Sequence, residues 1–113
     1  MNKIIVITIL SLLAISLFAH PASDVKMKYD AKAKLLTVDF KHSVKSATDH
    51  YIDKVSIILD GKEVITQVLS QQDSKTGGSL VYKLSGIKAG SEVEAITNCN
   101  KTGKKSAKLN FKK

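Results

Sequence analysis

The stretch DHYIDKVSIILDGKEV (residues 49–64) decides the fold. Val55, Ile57 and Leu59 recur at every second position within KVSIILD (54–60). In an extended chain, that spacing puts them on one face. Asp60-Gly61 follows, and then KEVITQVLS (62–70), rich in β-branched and apolar residues. A two-residue Asp-Gly link between two such runs is the strongest short-range hairpin signal, because a type I′ turn needs positive φ at both central positions. The spacing predicts two antiparallel strands joined at 60–61.

The same period extends outward in both directions. VKMKYD (25–30) alternates Val25, Met27 and Tyr29 with charged residues, and KLLTVDFK (34–41) aligns Leu36, Val38 and Phe40. SLVYKLS (79–85) sets Leu80, Tyr82 and Leu84 against Val81 and Lys83, and EVEAITN (92–98) alternates again. SAKLNFK (106–112) aligns Ala107, Leu109 and Phe111. DAKAK, SKTGGS and IKAGSE punctuate these runs with turn-forming residues. No stretch after residue 19 carries an apolar i, i+3, i+4 pattern. The expectation is all-β: a seven-stranded immunoglobulin-like antiparallel sandwich over residues 20–113. There is no internal repeat and no second domain. The immunoglobulin cysteine–tryptophan–cysteine pattern is absent, since the chain has no tryptophan and one cysteine.

The chain opens with MNK, an apolar run IIVITILSLLAISLF (4–18), and AHPA (19–22). A basic start, a short apolar core and small residues are the layout of a secretory signal peptide. The run is shorter than the about 20 residues of a membrane span. The expectation is a signal-peptide helix over 1–19 with cleavage after Ala19, although Leu17 is bulky for its position in the cleavage motif. An uncleaved N-terminal anchor is the alternative. The localisation that follows is periplasmic or secreted, with membrane contact only through the leader. Small exported domains often rest on disulfides. A lone Cys99 closes none within the chain, so it is a buried thiol, an intermolecular bridge or a metal thiolate.

The net charge is +8, and every basic residue is a lysine. Nucleic-acid grooves depend on arginine for bidentate contacts to phosphate and guanine, so the charge does not point to nucleic acid. It suits the attraction of a small anion or an acidic partner. No Gly-x-Ser-x-Gly elbow and no glycine-rich phosphate loop supports a hydrolase or a nucleotide-binding reading.

The metal-ligating residue types gather at strand ends. His20 stands at the expected mature terminus, His42 closes the second strand, His50 opens the third, and Cys99 ends the sixth on the parity of Val93, Ala95 and Thr97. Imidazole suits iron, copper and zinc, and a thiolate adds affinity for softer ions. The spacing is not that of a zinc finger, because no Cys-x-x-Cys or His-x-x-His pair exists. If the leader is cut before His20, its α-amine and imidazole could chelate one ion together, an arrangement that copper favours. Asp49 and Asp53 flank His50; Asp49 reads as a loop carboxylate, with orientation of an imidazole as the alternative.

FKHSVKSATDHYIDKVSIILDGKEV (40–64) with CNKTGKKSA (99–107) resembles the iron-binding domain of superoxide reductases, the desulfoferrodoxin and neelaredoxin family. The resemblance covers nearly all of residues 20–113. It implies a seven-stranded immunoglobulin-like sandwich holding mononuclear non-haem iron on equatorial imidazoles and one axial cysteinate. His20, His42 and His50 match histidine ligands and Cys99 the axial cysteine. Two departures stand out. Thr102 occupies the place of the family's last histidine, and the glutamate and lysine that precede its first histidine are replaced by LFA (17–19). A fainter likeness is to carrier-complex subunits of thiosulfate oxidation.

What the resemblance implies is reduction of superoxide to hydrogen peroxide at iron held by His20, His42, His50 and Cys99. The Cys99 thiolate would tune the iron, and Lys41 and Lys101 would steer the anion. An electron-donor protein is implied, and a homodimer fits the family. The alternatives are a non-catalytic module that binds or delivers iron or copper, and a sandwich that docks to a redox or sulfur-carrier complex.

Overall fold

The computed structural model describes residues 20–113; the leader expected over 1–19, its helix and its cleavage point lie outside the described residues. Seven strands follow in order: β1 (Asp24–Asp30), β2 (Leu35–Lys41), β3 (Ile52–Leu59), β4 (Lys62–Val68), β5 (Gly77–Lys83), β6 (Glu92–Cys99) and β7 (Lys104–Asn110). They form two antiparallel sheets, β1-β2-β5 and β4-β3-β6-β7. The order is that of an immunoglobulin-type sandwich whose fourth strand pairs with the third rather than with the fifth. The described residues contain no helix long and apolar enough to cross a membrane.

The turns do what their residues require. Asp60 and Gly61 both take positive φ, 50° and 83°, and join β3 to β4 as a two-residue hairpin. The Asp60 carboxylate also accepts from Glu92 N and Ser91 Oγ, which ties the hairpin to β6. At the β1–β2 turn, Asp30 Oδ1 accepts from the main-chain N–H groups of Lys32 and Ala33 while Lys34 takes a φ of 59°.

The core is apolar and comes from both sheets. Val25, Leu36, Val38 and Phe40 face Ile52, Val55, Ile57, Val93, Ala95 and Cys99. Burial follows the two-residue period along β2 and β6. It slips once on β3. Asp53 is an extra residue against β6, between the pairs Ile52–Cys99 and Lys54–Asn98. This bulge turns Ile52 into the core alongside Val55 and Ile57, all fully buried. Asn98 Nδ2 donates to Asp53 Oδ1 at 2.8 Å and holds the bulged carboxylate. The bulge lies two residues from the end of the strand where His50 enters, so it re-aims the segment that carries that ring.

Two residues test this packing. Gly77 opens β5 at a φ of 145°, and a Cβ there would collide with the Phe40 carbonyl. Gly77→Ala should lower stability by about 3 kcal/mol, the upper range for forced backbone strain, read as a lower urea midpoint at unchanged slope. Tyr82 Oη is the one buried side-chain polar atom without a partner among the described residues. Burial pushes that phenol up to about 12. Tyr82→Phe removes an unpaired hydroxyl and should stabilise the fold by roughly 1 kcal/mol, measured as a raised melting temperature.

Candidate metal centre

The start of β1, the end of β2, the start of β3 and the end of β6 lie at one rim of the sandwich. The register sets this: Asp24 pairs with Lys41, and Ile52 with Cys99. His42 follows Lys41 and keeps the inward parity of Leu36, Val38 and Phe40, which buries it fully. Its main-chain N–H donates to Thr76 O at 2.9 Å. His50 is delivered by the 43–49 loop, where Ser46 O accepts from both Asp49 N and His50 N. His20 precedes Pro21, and the Pro21 ring lies against Gly103, where a Cβ would come within 3.1 Å of it. Gly103 takes a φ of 84° and its carbonyl accepts from Cys99 N, closing the turn after β6.

Three imidazoles meet there. The ring centroids lie 5.0 Å apart for His20 and His42, 5.2 Å for His20 and His50, and 4.7 Å for His42 and His50. One ligand nitrogen from each lies within 4.8 Å of the others, so the group could hold a metal ion. Two nitrogens in a tetrahedral zinc site lie about 3.4 Å apart, so a bound ion would draw the widest pair together by about 1.4 Å. The fourth residue of the set is adjacent: Cys99 Sγ lies 3.1 Å from His50 Nε2. The thiol is buried and free, and the main-chain N–H of Lys101 points at the sulfur from 3.4 Å.

The hydrogen-bond inventory is short of hydrogens. His20 Nδ1 and Nε2 face the Pro21 and Ser43 carbonyls at 2.9 and 3.1 Å. His42 Nδ1 and Nε2 face Gln72 Oε1 and His20 O at 2.9 and 3.0 Å. That is four ring nitrogens against four oxygen acceptors, while two neutral imidazoles carry two N–H groups. Two contacts therefore set lone pair against lone pair unless positive charge enters. A proton on one ring or a bound cation would each provide that charge. The donor set fits such an ion: imidazoles and a thiolate, with no carboxylate among them.

Lys101 Nζ lies 4.0 Å from Asp49 Oδ1 beside this rim. Lys41 is exposed on the opposite face of β2 from His42, in a shallow groove with Ser23, Ser43 and Asp73. Thr102 is exposed. Asp49 does not bond an imidazole; its carbonyl accepts from Asn100 Nδ2. Asn100 also exchanges bonds with the Tyr51 main chain, Oδ1 from Tyr51 N and its own N–H to Tyr51 O, so it clamps the His50 segment to the residue after Cys99. The Cys-Asn pair was its signal in the sequence. Gln72, buried against His42, had none: it is the second of two glutamines in a loop.

Compared with known proteins, the chain matches no family model, and no curated protein matches it. What defines the molecule is thus its own geometry, a β-sandwich carrying a candidate histidine metal site on one rim.

Burial lowers the His50 pKa from its ordinary 6.5; the charges of His42 and His20 act the same way, a bond to the His20 backbone opposes them, and Lys101 adds a smaller push downward. The unfolded ring takes a proton below 6.5, whereas folded His50 takes one only at lower pH. Within that window the unfolded chain binds more protons, so stability falls as pH drops. For metal-free protein, the urea midpoint should fall between about pH 7.5 and about pH 5.5, and NMR titration should place the His50 midpoint below 6.5.

Proposed function

We propose that this chain is an exported mononuclear iron protein of superoxide-reductase type, with His20, His42, His50 and Cys99 as the ligands. The observation that carries the reading is the meeting of three imidazoles with a buried thiol 3.1 Å from one of them. Bound ferrous iron would supply one electron, so that superoxide and two protons become hydrogen peroxide. The chain's own groups do the rest. His42 is held inside the rim, while half-buried His20 and His50 leave an approach from solvent. The Lys101 N–H stabilises negative charge on the Cys99 sulfur. The Lys101 ammonium adds positive potential on that approach, which draws a small anion. Lys41 contributes only to the general positive field, since it faces away from the rings.

A second reading is metal carriage without turnover, for iron or copper. Three observations favour it. Thr102 supplies no fourth imidazole, Lys41 is turned away, and the Lys101 ammonium has Asp49 as a neighbour. Under this reading the rim is the face that docks to a redox partner.

Metal analysis of protein purified from the periplasm separates these. The iron reading expects about one iron per chain, a visible thiolate-to-iron band in the oxidised form, and consumption of superoxide by the reduced form. Cys99→Ser should abolish the band and weaken iron binding about 10-fold or more. Copper in place of iron, or iron without superoxide consumption, would favour carriage.

A further inference from the structure

We propose that Gln72 is the positioning residue of the imidazole cluster: it holds His42 with its proton on Nδ1 and thereby presents Nε2 to a divalent metal ion. The inference rests on the metal-binding reading above and deepens it.

Gln72 lies between β4 and β5 and is 3% exposed. A buried amide is stable only when its groups are paired, and all of this one's are. Its Nε2 donates to His42 O at 2.8 Å and to Ser74 O at 2.9 Å. Its Oε1 accepts from Ile52 N at 3.1 Å. These three bonds fix which end of the amide is oxygen. The flipped amide would set its NH2 against the Ile52 N–H and its oxygen against two carbonyls. The atom 2.9 Å from His42 Nδ1 is therefore an acceptor that draws the hydrogen to Nδ1, in competition with the His20 carbonyl 3.0 Å from Nε2.

The consequence falls on the other nitrogen. With the proton on Nδ1, neutral His42 has its lone pair on Nε2, facing the His20 carbonyl oxygen 3.0 Å away, which an incoming ion would displace. Without Gln72, that carbonyl would pull the proton to Nε2 and block it as a ligand. The choice of tautomer by a partner on the far nitrogen is how proteins orient metal-binding imidazoles.

One amide also spans two strand ends. It bonds the main chain of His42 and that of Ile52, two residues beyond His50. The spacing between the segments that carry His42 and His50 is thus set through a single side chain. Neither close relative of glutamine makes the same bonds. A glutamate would turn carboxylate oxygen toward two carbonyls, and an asparagine is one methylene short.

The test uses the full chain, 15N-labelled and metal-free, at about pH 8, above the ordinary imidazole range. Long-range proton–nitrogen NMR should show His42 as the Nδ1–H tautomer. In Gln72→Met the ring should shift toward Nε2–H, and the dissociation constant for Co2+ should rise about 10- to 100-fold with far-UV circular dichroism unchanged. An Nε2–H tautomer in the wild type overturns the proposal. So does a folded Gln72→Met that binds Co2+ within about threefold of wild type, well short of the loss expected for a positioning residue. If Gln72→Met does not fold, the wild-type tautomer decides. If the wild type binds no Co2+, the metal reading fails and this inference with it. If both proteins bind Co2+ equally, only this inference fails.

Discussion

Two neutral imidazoles carry two N–H groups, yet the four ring nitrogens of His20 and His42 face four oxygens. That shortage of hydrogens is the constraint around which the rim is organised. An unmet pairing costs about 1–3 kcal/mol where it is buried; the His42–Gln72 contact is buried, whereas the His20–Ser43 contact is exposed. A proton added to either ring would relieve the shortage. A bound divalent cation satisfies the same oxygen- and sulfur-rich surroundings while leaving the rings neutral. An ion bound by this cluster would stabilise the fold by linkage.

The sandwich can carry such a site because its core lies elsewhere. Leu36, Val38, Val55, Ile57, Val93 and Ala95 are fully buried between the sheets, without a disulfide. The rim residues add few apolar contacts of their own. What they require is position, and the framework provides it through hydrogen bonds that cross between segments. Gln72 joins the β2 end to the β3 start. Asn100 joins the β3 start to the turn after β6. Pro21 against Gly103 brings the chain entering β1 onto that same turn. Each link ties a histidine- or cysteine-bearing segment to its neighbour rather than to solvent.

Strand pairing and side-chain chemistry act on different scales here. The bulge at Asp53 shifts the inward face of β3 by one residue, so that Ile52 is buried and the chain before it turns toward β6. A regular strand would bury Asp53 in place of Ile52, which would set a carboxylate into the core. The polar residue is instead held at the edge by Asn98. The same small irregularity protects the core and directs His50 toward Cys99.

The alternation in residues 25–41, 54–70, 79–98 and 106–112, with Asp60-Gly61 between two runs, was enough to define seven strands, because the period of side chains along a strand is a local property. The residues that meet at the rim were legible for the same reason: three histidines and one cysteine stand at the ends of those runs. Strand ends shifted by one or two residues, since the bulge at Asp53 and the start of β5 at Gly77 depend on partners far along the chain. Only the tertiary structure decided that Lys41 faces away from the rings while Lys101 lies beside them, and that Gln72 is buried against His42. Those facts are set by loop paths and by the register between distant strands. A side chain such as Gln72 carries no pattern of its own; its role exists only once β2, β3 and the loop before β5 have closed around it.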